Sequence, residues 1–262
     1  DFCLSRGLGD VYKRQLDEML AAEQPDVVLI CTPPAPHREQ SLAAFASGAH
    51  VVVEKPPAPS LDELDDMRAA ADAAGRQLAV VFQQRTGTAA AHVRSLLQSG
   101  ALGRPLGAVC QTLWFRDADY FAVPWRGRWA TEGGGTTLGH GIHQIDLLAH
   151  LLGDWSSVQG RLWRLDRETE TEDVSTATIV FDRGVVAQLI TSAVSPRETS
   201  SIRIDTQKAT ITVDHVYGHG HENWRITAAP GFESEAEGWG FPDAEERLSL
   251  IHISEPTRQA EI

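Results

Sequence analysis

The stretch "CTPPAPHREQSLAAFASGAHVVVEKPPA", Cys31 to Ala58, decides the fold. The run that leads into it, Val27 to Cys31 ("VVLIC"), is short, apolar and rich in β-branched residues, and it stops at Thr32-Pro33-Pro34. Such a run predicts a strand buried on both faces of a parallel sheet. His37 to Ser47 has helical spacing and ends at Gly48, and His50 to Val53 ("HVVV") predicts a second buried strand closed by Glu54-Lys55-Pro56-Pro57. Strand, crossover helix and strand with short connections make a βαβ unit. Ligands of open α/β sheets bind beyond the carboxyl ends of the strands, so Thr32, Pro33, His37, Glu54 and Lys55 are expected around one crevice. Pro56 restrains Lys55 to extended backbone, and an X-Pro bond is also where a cis peptide is tolerated. On spacing alone, a surface lysine beside a turn is an equal reading.

Downstream, Ser60 and Glu63 form a capping box ahead of a helix to about Ala74. Leu78 to Phe82 predicts a third buried strand and Thr88 to Ser99 a helix, so the alternation reads as the later half of a doubly wound sheet. After Gly100 to Pro105 the pattern changes. Val109 to Phe115 is a strand, a polar aromatic loop runs to Gly135, and Leu138 to Leu152 suits a helix. Strands follow at Val158 to Trp163, Ala177 to Phe181, Val185 to Ser192, Ser201 to Asp205, Thr210 to Val213 and Trp224 to Thr227. The alternation in "TATIVF" and "ATITVD" predicts one packed and one wetter face. The expected class is α/β. An incomplete Rossmann domain over 16–105 precedes an α+β domain over 106–247 with a large, open, mostly antiparallel sheet.

The two ends read differently. Asp10 to Gln15 ("DVYKRQ") can be written in codons whose reverse complement encodes "LSLIHI", Leu248 to Ile253, and "SRGLG" pairs likewise with "SEPTR", Ser254 to Arg258. No folding pressure relates residues through complementary codons. The expectation is a translated library adapter in inverted orientation at both ends, which sets residues 1–15 and 248–262 outside fold reasoning. Between them, 19 basic residues stand against 32 acidic ones. That balance argues against nucleic acid and anionic membrane as partners and favours a small molecule. Cys31 and Cys110 lie in apolar runs, and two buried unpaired thiols point to a reducing, cytoplasmic setting.

The order Thr-Pro, a His four residues later, a helix and then Glu-Lys-Pro resembles the glucose–fructose oxidoreductase and inositol dehydrogenase family, Gfo/Idh/MocA. A second segment, "GGGTTLGHGIHQIDLLAHLLG", Gly133 to Gly153, is similar to the family's glycine-rich entry into the helix of its catalytic histidine. The resemblance covers essentially all of Leu16 to Arg247. It implies an oxidoreductase that uses NAD or NADP on a sugar, polyol or related hydroxy or carbonyl compound, and a homo-oligomer. It assigns Lys55 and His143 as catalytic residues, with Thr32, Pro33, His37, Glu54, Lys55 and Pro56 at the cofactor. A histidine with pKa near roughly 6.5 suits the base that removes a carbinol proton, and an ammonium suits developing alkoxide charge.

The pattern departs from the family at Gly139, where an Asp is usual, with His140 beside it. Either His140 substitutes in part or Lys55 and His143 act alone. Asp146, three residues after His143 on the same helix face, orients the imidazole or serves as a cap or ion-pair partner. Trp125 and Arg126 in "WRGRW" stack on and hydrogen-bond a sugar, or anchor the core. His215, His219 and His221 have metal-like spacing without a supporting Cys or carboxylate, so a substrate-side loop is preferred and no metal is assigned.

The phosphate-binding G-x-G-x-x-G turn and its downstream acid do not occur in the sequence. At about 30 residues per βαβ unit, some sixty or more are expected to be missing, which leaves this chain inactive and its sheet edge exposed and poorly soluble. The alternative function is a nonenzymatic ligand-sensing regulator on the same fold, which Gly139 keeps open.

Overall fold

The computed structural model describes residues 16–216 and 221–241 of the 262-residue chain. Both adapter-like arms, and His219 of the histidine-rich loop, lie outside the described residues. The chain divides into two compact units, one of residues up to Val81 together with Arg128–Gly133, the other of Phe82–Gly127 and the residues from Gly134 on.

In the first unit, β1 (Val27–Ile30), β2 (His50–Val53) and β3 (Leu78–Val80) form a parallel sheet in sequential order. Helix α1 (Leu16–Glu23) precedes β1, and α2 (His37–Ala46) and α3 (Leu61–Ala74) connect the strands. Ser60 caps α3 by accepting the Glu63 N–H at 3.3 Å, as its sequence predicts, and Gly75 closes it in the left-handed region. The core of this unit joins Phe45, Val51, Val53, Met67 and Leu20.

Strand burial differs from the sequence reading. In β1, Val28 and Ile30 are buried while Val27 is 46% and Leu29 64% exposed. β3 is partly exposed along its length, and Cys31 is exposed too. An all-apolar run signals two buried faces only if layers cover both. Among the described residues of this unit, the core lies on one face only.

In the second unit, seven strands are ordered β10-β9-β8-β4-β7-β6-β5. They are β4 (Pro105–Phe115), β5 (Trp155–Trp163), β6 (Val174–Phe181), β7 (Val186–Ser192), β8 (Val194–Thr206), β9 (Ala209–Asp214) and β10 (Trp224–Ala228). Every neighbouring pair is antiparallel except β4 with β7. Helices α4 (Thr88–Ser99) and α5 (Ile142–Leu152) share a core with one face of this sheet. Val93, Leu97, Leu147 and Leu148 meet Cys110, Leu189, Ile202 and Ile204 there. Each such aliphatic side chain contributes about 1.5–3 kcal/mol when withdrawn from water. This packing draws α4 into the second unit, so the compact division falls upstream of the change in pattern near residue 105. Burial also pushes the Cys110 thiol up to about 12. The opposite sheet face is open: Val109 on β4 is 40% and Val186 on β7 is 42% exposed.

Candidate active site

The first unit places Thr32 and Glu54-Lys55-Pro56 just beyond the carboxyl ends of β1 and β2, where an open α/β sheet presents its ligand sites. His37 ties these ends together. Its side chain is fully buried, with Nε2 2.8 Å from the Thr32 carbonyl oxygen and Nδ1 3.0 Å from that of Pro56. Burial pushes the imidazole down from its ordinary value, against the opposing pull of those carbonyls. Both ring nitrogens therefore face main-chain carbonyls, and the one that carries the proton in the neutral ring donates to its carbonyl, so His37 ties the ends of the two strands together.

Thr32 Oγ1 donates to Gln40 Oε1 at 2.7 Å. The Lys55 N–H donates to Glu54 Oε2 at 3.1 Å, and the Lys55-Pro56 peptide is cis. Thr32, Pro33, Glu54 and Lys55 all remain half-buried, whereas Pro56 is buried. A crest of fixed main chain with accessible Thr, Glu and Lys side chains fits part of a nicotinamide dinucleotide. The pyrophosphate turn is not among the described residues.

The second unit carries the histidines. Thr137–Gly141 is a π-helical turn that runs directly into α5. Such widened turns recur at functional positions. The glycine run before it is a packing requirement: a Cβ on Gly135 would lie 1.9 Å from the Glu172 carbonyl oxygen. By contrast, a Cβ on Gly139 would meet nothing within 4 Å. Close packing therefore does not explain the glycine at that position.

His143 is 3% and His140 9% exposed. The His140 ring packs edge-on against Trp114, with centroids 5.0 Å apart, and its Nε2 is 3.2 Å from the Tyr120 hydroxyl. Arg126 stacks over the same Tyr120 at 3.6 Å and lies 5.1 Å from Trp125. The structure thus gathers His140, Tyr120, Arg126 and Trp125 into one cluster within this unit. The "WRGRW" segment is divided: Trp125 and Arg126 belong here, and Arg128 and Trp129 to the first unit.

Asp146 takes the ion-pair alternative. Its two carboxylate oxygens take the Arg85 guanidinium, with Nε donating to Oδ2 at 2.6 Å and Nη2 donating to Oδ1. That bond holds the guanidinium above its usual range. The pair anchors α5 to the turn Gln83–Thr86, so Asp146, at 8% exposure, is an ion-pair partner. His150, one turn on, is pushed down by burial and then by the charges of Arg94 and Arg85.

Two acids escaped the sequence reading. Glu172 is 5% exposed and grips the entry to α5, accepting the Gly135 N–H at Oε2 (2.8 Å) and the Thr137 N–H at Oε1 (3.0 Å). Thr137 Oγ1 donates to Ser175 Oγ, which pairs with Thr191 Oγ1, each at 2.7 Å. Asp173 accepts the N–H groups of Leu165, Asp166 and Arg167, all at 2.8 Å. Adjacent acids in a loop ordinarily signal solvent, and only the burial of "TEDV" reveals otherwise. Among the described residues, no cluster of three or more His, Cys, Asp or Glu is placed to hold a metal, and no helix is long and apolar enough to cross a membrane.

Comparison with known proteins agrees with this architecture. The oxidoreductase family model for the NAD-binding Rossmann fold, GFO_IDH_MocA, matches residues 5–82, and the GFO/IDH/MocA C-terminal domain matches residues 90–212. D-glucoside 3-dehydrogenase of Escherichia coli (strain K12) is 30% identical over 223 residues, covering 76% of this chain and 62% of that protein. 1,5-anhydro-D-fructose reductase of Ensifer adhaerens is 29% identical over 252 residues, covering 87% and 74%. The chain thus spans less than two thirds of the first of these. Among solved structures, the WlbA dehydrogenase from Bordetella pertussis in complex with NADH and UDP-GlcNAcA superposes with a TM-score of 0.77 at 28% identity, covering 86% of this chain and 66% of that one. The chain belongs to the GFO/IDH/MocA oxidoreductase family.

Proposed function

We propose that the chain forms part of an NAD(P)-dependent oxidoreductase acting on a sugar, polyol or related small hydroxy compound. The observation that carries this reading is the Glu54-Lys55-Pro56 crest beyond β2, held by a fully buried His37. Relatives named as a glucoside dehydrogenase and an anhydrofructose reductase support it. Thr32, Pro33, Glu54, Lys55 and Pro56 would hold the dinucleotide on its nicotinamide side. NAD(P), when bound, accepts or returns the hydride. His143 takes the hydroxyl proton on an imidazole nitrogen, and the Lys55 ammonium stabilises the developing negative oxygen. Titration of the full-length protein with NADH and NADPH, followed by nicotinamide fluorescence, together with its turnover of a panel of sugars and polyols, tests the proposal. Saturable binding of either nucleotide is expected with turnover of at least one compound. Saturable binding of a sugar without nicotinamide binding or turnover would favour the ligand-sensing regulator.

The open sheet face supports self-association. Val109 and Leu113 on β4, Val186 and Ile190 on β7, and Val174 and Val180 on β6 all lie on this face. Sedimentation is expected to show a dimer or higher species that Val109→Lys converts to monomer; a wild-type monomer at micromolar concentration rejects this assembly.

A further inference from the structure

We infer that Arg126, seconded by Arg116, forms a subsite for the carboxylate or phosphate of an acidic sugar. The inference rests on the oxidoreductase reading and narrows its substrate class. Arg126 is half-buried, and its Nε is buried without a hydrogen-bond acceptor. No carboxylate among the described residues pairs with it, although nearby Arg116 pairs with Glu198 and Arg167 with Asp166. A second guanidinium, that of Arg116, lies 5.3 Å from the same Tyr120 ring and 4.6 Å from Trp114. Two cations against one ring repel each other, and while Glu198 compensates Arg116, withdrawing Arg126 from water is costly without an anion of its own.

The position is specific as well as charged. The ring under Arg126 reaches His140 through its hydroxyl at 3.2 Å, and His140 lies about one turn before His143 along the entry to α5. Aromatic faces that hold a guanidinium pre-orient its planar fork, which suits bidentate recognition of carboxylate or phosphate and selects against a neutral hydroxyl. Trp114 and Trp125 flank the cluster, so their fluorescence reports on its occupancy.

The test titrates the 262-residue chain with D-glucuronate, D-glucose 6-phosphate, D-glucose and inorganic phosphate, following tryptophan fluorescence. At least one acidic sugar is expected to bind about tenfold or more tightly than glucose, and Arg126→Gln to erase that preference while Arg126→Lys keeps part of it. Which acidic sugar is preferred tells whether the anion is a carboxylate or a phosphate. Phosphate alone competing as well as glucose 6-phosphate overturns a sugar subsite. Equal affinity for glucose, an Arg126→Gln variant that keeps the preference, or binding of none of the four also overturns it. Thermal melts establish that the variants fold. Nicotinamide binding and turnover of neutral polyols by the full-length protein separate the two ideas: if these persist without an anion preference, only the subsite falls.

Discussion

Lys55→Met in the full-length protein is expected to lower kcat/KM for whichever sugar or polyol is turned over by about 10²–10³-fold, while NADH affinity changes by no more than about threefold. Methionine keeps the stem and loses the ammonium, so the variant isolates the charge. The loss concentrates in kcat because the cation meets more negative charge on oxygen in the transition state than in the bound alcohol or ketone. The main chain is firmly placed: Val53 before it is fully buried in β2, Pro56 after it faces His37, and the Glu54 carboxylate accepts the Lys55 N–H. The variant is therefore expected to melt like the parent. Steady-state kinetics beside a fluorescence titration make the measurement, and an unchanged kcat/KM would remove Lys55 from the chemistry.

Asp173→Ala is expected to destabilise the second unit by about 4 kcal/mol, since three N–H groups lose a charged acceptor and regain water only in part. For a chain of this size that corresponds to a fall of about 10 °C in Tm. Burial pushes the Asp173 carboxyl up, yet the N–H groups of Arg167, Asp166 and Leu165 outweigh it, and the net position is below the ordinary carboxylate range. A depressed folded pKa means stability that is fully present above the unfolded value of about 3.9 and lost as pH falls through the folded one. Urea unfolding of the parent and of Asp173→Asn is thus expected to differ most above pH 4 and to converge in stronger acid. Curves that stay parallel through the acid limb would show that Asp173 does not carry the linkage.

Arg85 explains why part of the site was illegible. Asp146 is 61 residues from its partner, and three-residue spacing on one helix left orienting His143 and an ion pair as equal readings. Helical periodicity says which residues share a face, but not what another element brings to that face. The same holds for His37. Its spacing from Thr-Pro marks a site, yet both nitrogens are turned to carbonyls, one of which lies 19 residues away on Pro56.

What the sequence by itself determined is the order and kind of elements: strand-helix alternation to Ser99, then β4, a glycine-rich entry, α5 and six more strands. It also set Lys55 beyond β2 and His143 on α5. These follow from local rules, since apolar period, caps and Pro or Gly punctuation act within a few residues. Only the tertiary structure decided burial and partnership. It left Val27, Leu29 and Cys31 exposed where an apolar run predicts enclosure, and it buried Glu172 and Asp173 where an acidic loop predicts water. The physical reason is that burial depends on which layer arrives to cover a face, and a carboxylate is stable inside only where distant N–H donors converge on it.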